Sequence, residues 1–585
     1  GGLEWAVGVA SGARGGGGRH EGGAGRGAVG GGGGGREGRV ATAHGMEARV
    51  DLGAVAAPAD AQDAAARVAA ARGGVRIVRG SDGTEVNSIV DPVLCGDSGL
   101  ALGDLDGDGT PEIVVGGPCA DGQVHAFHAD GTLVWRSMRP DDTPFLTTLD
   151  FGAISIADLE GDGQAEVVLG GTVLESNGVL RFEGRGTGYN CCGASPRAML
   201  STAYDVAGDE DLEIVGATAV WNADGTPVWD LPALEEGFLA VADFFEDGIA
   251  DIVVVHNGFT SIRRATDGMV VWGPHAQPGG GRGGPPTVAD FDGDGLPEIG
   301  VAGAASYSVF DPDGHVAGGP IVLWSQVTQD TSSNITGSSV FDFDGDGRAE
   351  VVYNDECYMR IYSGTDGTVL REVAQHSHTL VEYPVIADID ADGNAEIVFA
   401  ANALVARCAA IPGYTGNLAG VRAFGDELDN WVGTRPVWNQ HTYAITGVRA
   451  DLSIPPRPVV NHTRFNNFRQ NSQSFDAPNL VVELGEAGTS CSPEEILRAT
   501  VTNRGAVTVG AGLAVSFYAG TVAAPGRLFG TVRTTRAIPP GSSEEVELRF
   551  DVIEGESGVD QPYFVRVDDV GDGRGEHNEC LEDDN

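Results

Sequence analysis

The sequence predicts an all-β chain made of a repeated four-strand unit, followed by a separate module of alternating strands. Three observations predict this. An apolar strand runs seven times into an acidic loop of pattern D-x-D-x-D-G-x-x-E, or a degraded copy of it, and then re-emerges as a second apolar strand. Asp-Gly or Asn-Gly dipeptides punctuate the stretches between these loops. Beyond Pro478 the repeat stops, and strict inside-outside alternation takes over.

The first Asp of each loop falls at 104, 158, 205, 243, 290, 342 and 388, an average spacing of about 47 residues. That period suits one four-stranded blade per repeat, roughly 40–50 residues. The reading is a seven-bladed β-propeller over residues 75–470, with eight blades as the alternative. The eighth would come from an extra hairpin, Val75-Arg76-Ile77-Val78 with Asp82-Gly83-Thr84. That hairpin either closes the ring on C-terminal strands or joins Trp438 to Val448.

Within a unit, the strand after the loop is a near-continuous apolar run, as in Glu112-Ile113-Val114-Val115 and Glu396-Ile397-Val398-Phe399. Such runs suit strands covered on both faces. Asp130-Gly131, Asn177-Gly178, Asp224-Gly225, Asp267-Gly268, Asp313-Gly314 and Asp366-Gly367 then mark two-residue hairpins in units one to six. Trp135, Trp229, Trp272 and Trp324 end outer strands and read as aromatics buried at blade edges.

Five loops are complete in their carboxylates. They are Asp104-Asp106-Asp108-Glu112, Asp158-Glu160-Asp162-Glu166, Asp290-Asp292-Asp294-Glu298, Asp342-Asp344-Asp346-Glu350 and Asp388-Asp390-Asp392-Glu396. Two are degraded: Asp205-Asp209-Glu213, with Ala207 at the third position, and Asp243-Asp247-Asp251, with Phe245 there. A lone Asp-Gly cluster is an ordinary turn signal. Five complete copies at one strand-loop-strand position call for another account. Four crowded carboxylates repel one another unless a hard divalent cation gathers their oxygens, and calcium accepts the flexible coordination that a short loop offers. Gly at the sixth position supplies the sharp turn. The seventh residue (Thr110, Gln164, Leu296, Arg348, Asn394) varies in chemistry, which suits a backbone carbonyl ligand. About five Ca2+ sites are expected. They are not EF-hands, because the last acid falls at position nine and the flanks read as strand.

Net charge is −48, from 84 acidic and 36 basic residues. The five complete loops account for twenty of those carboxylates, and the remainder argues against a nucleic-acid partner. No run of 18 apolar residues exists, so no transmembrane segment is expected. Residues 1–72 are rich in Gly and Ala and read as disordered. Eight cysteines, together with calcium, suit an extracellular or cell-surface-attached protein. Cys95, Cys119, Cys191, Cys192, Cys357 and Cys408 precede first strands or follow second strands. All six therefore belong to the face opposite the acidic loops, where variable connections carry recognition.

Residues 478–585 alternate: Leu497, Ala499 and Val501 against Arg498, Thr500 and Thr502, then Val515 and Phe517, then Val546, Leu548 and Phe550. An immunoglobulin-like β-sandwich is expected, with Cys491 and Cys580 bridging its terminal strands.

Segments such as Ala157-Asp158-Leu159-Glu160-Gly161-Asp162-Gly163-Gln164-Ala165-Glu166 and Ala289-Asp290-Phe291-Asp292-Gly293-Asp294-Gly295-Leu296-Pro297-Glu298 resemble FG-GAP/VCBS repeats. Such repeats build the integrin-alpha-type propeller and many bacterial secreted proteins. The resemblance implies calcium ligation by loop positions one, three, five and nine. Pro436 to Tyr443 and Asn467 to Asn471 resemble the ends of such bacterial propellers, and residues 478–585 are similar to CARDB modules. It further implies an extracellular binding or adhesion module for a glycan or protein ligand. The alternative is a carbohydrate-active enzyme of polysaccharide-lyase type, for which His376, His378, His441 and the pair Arg263-Arg264 are the candidate groups. No Ser/His/Asp order, phosphate loop or zinc spacing is present, and no catalytic residue is assigned.

Overall fold

The structure is a computed structural model. It describes residues 8–10, 40–42, 51–56, 66–71, 74–90, 99–116, 122–147, 153–184, 188–189, 198–209, 211–312, 321–377, 379–390, 393–401, 408–416, 420–426, 431–473, 480–485, 494–503, 509–521, 524–538, 542–551 and 563–569. These fall into two compact units, the second comprising residues 473–585 with 392–395 and 425–434.

Each of the seven acidic loops joins the first two strands of a four-stranded antiparallel sheet. In the first repeat, Leu100–Gly103 enters the loop, Glu112–Gly116 leaves it, and Val124–Phe127 and Leu133–Arg136 complete the sheet. The second and third strands are buried throughout, as their apolar runs require, whereas Leu133–Arg136 is largely exposed. The chain is all-β in blades of propeller type.

The seventh repeat has no Asp-Gly hairpin, and its outermost strand comes from elsewhere. Val40–Thr42 pairs with Gly420–Phe424 to complete that sheet. The expected closing hairpin pairs differently. Gly74–Arg79 lies between Ala66–Ala71 and Glu85–Val90, in a five-stranded sheet with Asp51–Ala56 and Gly8–Ala10. It does not join Trp438 to Val448, which contain no strand among the described residues. Four strands thus lie within the segment whose composition reads as disordered; the rest of residues 1–72 lie outside the described residues.

The described Asp-Gly and Asn-Gly turns are longer than two residues, and Asp313-Gly314 lies outside the described residues. In the first repeat, His128 N–H donates to Thr132 O and Gly131 N–H to His128 O, leaving three residues in the loop with Gly131 at φ 89°. This is the type I turn with a left-handed bulge residue. The bulge has a neighbour that dipeptide statistics do not encode. Trp324 of the fifth repeat donates its indole N–H to Gly364 O of the sixth, and its ring lies against Gly367. Trp135 stands likewise to Ser176 O and Gly178, and Trp229 to Ala265 O and Gly268. These three aromatics therefore latch the first blade to the second, the third to the fourth and the fifth to the sixth.

One segment fills the axis. Residues 435–472 touch the first strand of every repeat. Leu102 N–H donates to Asn439 O (2.9 Å), Ile156 N–H to Gln440 Oε1 (2.7 Å), and Tyr204 Oη lies 2.8 Å from His462 Nδ1. Asp243 N–H donates to Asn466 Oδ1, Val288 and Phe468 exchange backbone bonds, Val340 N–H donates to Arg469 O, and Asn471 Nδ2 donates to Ile386 O. The innermost edge of each sheet carries N–H and C=O groups that must find partners when buried. Carboxamides and free backbone from this one segment supply them.

The second unit has two three-stranded antiparallel sheets, one of Leu480–Leu484, Glu494–Asn503 and Ser543–Asp551, the other of Ala524–Arg533, Ala514–Thr521 and Tyr563–Val567. Leu497, Ala499, Val501, Val515, Phe517 and Val546 meet in one core, as the alternation requires. Cys491 and Cys580 lie outside the described residues.

A Cβ at Gly367 would sit 2.5 Å from Trp324 Cε3, whereas Gly413, also at positive φ, has open space around it. Gly413→Ala is expected to cost about 1–3 kcal/mol from backbone strain alone. Gly367→Ala is expected to cost clearly more. Equal losses in denaturant titrations would contradict the latch.

Candidate metal centre

The last acid of each loop is the first residue of the following strand, and the chain uses it identically in all seven repeats. Its carboxylate accepts the N–H of the loop's second residue: Leu105 to Glu112, Leu159 to Glu166, Val206 to Glu213, Phe244 to Asp251, Phe291 to Glu298, Phe343 to Glu350 and Ile389 to Glu396. In the first, second, fifth and sixth loops the first Asp accepts the N–H of the sixth-position glycine (Gly109, Gly163, Gly295, Gly347). The fifth-position Asp accepts the N–H of Thr110, Gln164, Leu296 or Arg348 at 2.7–2.9 Å. These bonds fold four acids into one small ring without help from a ligand.

Four of the five complete loops gather three carboxylates whose oxygens lie within 4.8 Å of one another. The sets are Asp104-Asp106-Asp108, Asp290-Asp292-Asp294, Asp342-Asp344-Glu350 and Asp388-Asp390-Glu396. Asp392 lies outside the described residues. The first and last acids of a loop are the more buried pair: Asp104 and Glu112 are buried while Asp106 and Asp108 are exposed. Burial, with the neighbouring Asp charges, pushes Glu112 and Glu350 up to about 8 and Glu298 up to about 9. Asp104, Asp290 and Asp342 are also raised, by burial against the glycine N–H bonds that lower them. Asp104 Oδ1 is buried and accepts no hydrogen bond. A hard cation fits this donor set: oxygen only, multiply charged, with one buried oxygen left for it.

The second complete loop differs. Arg181, from the outer strand of the same repeat, sets its guanidinium against Glu160 (2.5 Å), Glu166 (2.8 Å) and Glu175 (2.6 Å). Burial works against its charge, but the carboxylates outweigh it and raise its pKa. This loop has a Glu at its third position where the other four have Asp, and the longer arm reaches the guanidinium. That substitution was the available sequence signal.

Neighbouring loops are bonded to one another. Ala165 N–H donates to Leu105 O, Leu212 to Leu159 O and Ala349 to Asp290 O. Gln164 Nε2 donates to Asp106 O and Arg348 Nε to Asp292 O, which gives two seventh-position side chains a role their variability had hidden.

On the opposite face, Cys357 and Cys408 form a disulfide between the second-to-third-strand connections of the sixth and seventh repeats. The other six cysteines lie outside the described residues. Among the candidate acid-base groups, His376 is fully buried with its ring 5.2 Å from that of Tyr414. His441 belongs to the axial segment and lies 3.1 Å from Val381 O through Nε2 and 3.4 Å from Arg469 through Nδ1. His378 lies outside the described residues.

Residues 104–169, 243–301 and 342–399 match the family described as FG-GAP-like repeat. Those three stretches are FG-GAP-like; the match does not extend to the rest of the chain. Among solved structures it is similar to the V. cholerae biofilm matrix protein Bap1, at 18% identity and TM-score 0.60, over 74% of this chain and 97% of that one. That likeness is one of fold. Other matches include the rhamnogalacturonan lyase YesW (15% identity, TM-score 0.34, 72% and 96% covered) and an Agrocybe aegerita lectin that recognises non-reducing terminal N-acetylglucosamine (19%, 0.33, 57% and 91%). No curated protein matches the chain. Among the described residues no helix is long and apolar enough to cross a membrane.

Removing Arg181 leaves three carboxylates facing one another around a buried Glu166. Arg181→Gln is expected to destabilise the protein by about 3–5 kcal/mol, the usual cost of stripping one partner from a buried ion pair. Added calcium is expected to restore part of the loss. An unchanged unfolding free energy would contradict the assignment.

Proposed function

We propose that the chain is an extracellular, calcium-stabilised binding module whose ligand, a glycan or a protein, meets the face opposite the acidic loops. The observation that carries the reading is a three-carboxylate cluster in the same loop of four repeats, built each time on the first and third acids with either the fifth or the ninth. Calcium at these clusters would neutralise them and, through the loop-to-loop hydrogen bonds, stiffen the blades as a set. The seventh-position carbonyls and the remaining loop acids would complete the coordination. Residues 435–472 occupy the axis, so a ligand has the rims and faces of the propeller, not a central channel.

The fold is one that a biofilm matrix protein also uses, an analogy of fold alone. The sandwich, which resembles CARDB modules in sequence, would act as a spacer or a second contact. The lyase reading gains no support from the candidate histidines, because His376 is sealed under Tyr414 and His441 is held to Val381 O.

The test is a glycan and protein binding screen run with calcium and with chelator, beside a thermal melt. Each site is expected to contribute about 2.7 kcal/mol when calcium stands one-hundredfold above its dissociation constant. Chelator should therefore lower the melting temperature and weaken binding together. A melt indifferent to chelator would overturn the calcium reading, and binding to no glycan or protein would overturn the module reading.

A further inference from the structure

A cavity of about 380 Å³ opens between the third and fourth repeats. Its walls come from the strand Phe259–Arg264, from the connection that precedes the fourth repeat's first strand, and from the connection after that repeat's second strand. Both connections belong to the face opposite the acidic loops. Phe259, Ser261 and Arg263 alternate along the strand and so share its cavity side, while Thr260 and Ile262 point into the blade and are fully buried.

Arg263 is the unusual member. It is 3% exposed, it donates to two backbone carbonyls, Ala217 O and Glu235 O, and its Nε–H has no acceptor. Buried guanidinium groups are normally paired with an anion or fully hydrogen-bonded. Arg469, buried on the axis, shows the satisfied form, donating to His441 O and Pro286 O. No carboxylate lies in salt-bridge range of Arg263 among the described residues. The nearest acid, Glu235, is mostly exposed and faces His256 at 3.1 Å. Burial pushes the Arg263 pKa down to about 10, as it does for the equally buried Arg469, so the missing Nε–H acceptor is what sets Arg263 apart.

The rest of the wall is not that of a simple anion pocket. The Phe259 ring is 48% exposed and Val270, paired with Arg263 across the strands, is 45% exposed. This gives an apolar platform beside the guanidinium, with the Ser261 hydroxyl and the Asn257 amide at hand. Such a mixture suits a pyranose, whose C–H face packs on an aromatic ring while its hydroxyls take hydrogen bonds. A guanidinium recognises a carboxylate with two parallel N–H donors. Overall charge narrows the class further. At −48 the chain repels polyanions, so an isolated carboxylate in an otherwise neutral glycan is favoured.

We propose that this cavity binds a uronic-acid residue of a glycan, with Arg263 holding the carboxylate and Phe259 stacking on the sugar ring. The proposal rests on the reading of the chain as a glycan-binding module and names the site and the sugar class. The test is calorimetric titration of calcium-loaded protein with methyl glucuronoside, methyl galacturonoside, methyl glucoside, acetate and an Asp-containing peptide. At least one uronoside is expected to bind in the millimolar range, at least tenfold tighter than the neutral glucoside, acetate or the peptide. Phe259→Ala, which alters a half-exposed side chain, should weaken that binding about three- to tenfold with an unchanged melting temperature. Arg263→Gln should abolish the preference over neutral sugar, and Arg263→Lys should restore part of it. Uronoside no tighter than glucoside, acetate or peptide, or binding unaffected by Phe259→Ala, would overturn the proposal. If uronosides fail while the wider screen finds another ligand, this site is wrong and the module reading stands.

Discussion

The constraint on which this structure depends is the crowding of like charge. Each complete repeat folds four carboxylates into a nine-residue turn, with the first and last of them drawn out of water by the strands they join. Backbone N–H groups at the second, sixth and seventh positions offset part of that repulsion and set the loop's shape. Burial, with the neighbouring Asp charges adding to it, still pushes Glu112, Glu298 and Glu350 well above the usual carboxylate range. On the proposed reading, a positive charge completes the loop. The second repeat supplies its own in Arg181; in the sixth, Arg348 pairs with Asp346 at 3.0 Å and leaves Asp342, Asp344 and Glu350 clustered, as acids also cluster in the first, fifth and seventh loops.

That difference also bears on assembly. A guanidinium fixed by the chain is present as soon as the second repeat folds, whatever the surroundings. A divalent ion, on the proposed reading, would bind only where its concentration allows, and the fifth and sixth loops, which are hydrogen-bonded to one another, would share its effect. The axial segment works in the same direction from the other side of each blade. It returns after the last repeat to satisfy the first strands, so the ring is locked by residues made after all seven repeats.

Much of this was legible in the sequence, and the reasons are physical. Loop positions were readable because turn bonding and strand entry fix acids at alternating positions, a glycine and a final acid in rigid spacing. Blade strands were readable because burial on both faces demands unbroken apolar runs. The axial segment was less so. Its amides (Asn439, Gln440, Asn466, Asn471) imitate backbone, and nothing local says which distant edge they serve. The partner of Gly420–Phe424 was missed because edge pairing with Val40–Thr42 is a property of ring closure, not of either segment. The described Asp-Gly and Asn-Gly turns gained one residue in the first three repeats and two in the fourth and sixth, because the following strand needs a left-handed glycine to carry the twist. Arg263 was noticed as one of a pair of arginines, but its isolation from any acid depends on where Glu235 and Ala217 end up in space.

The central claim is that every complete loop is closed by positive charge, metallic in four and organic in one. Crystals grown with a lanthanide in place of calcium, with diffraction recorded at the lanthanide absorption edge, report cation occupancy loop by loop. The account predicts anomalous peaks within residues 104–112, 290–298, 342–350 and 388–396, and none within 158–166, where Arg181 stands. A peak at 158–166 with Arg181 swung aside, or no peak at the other four, would contradict it.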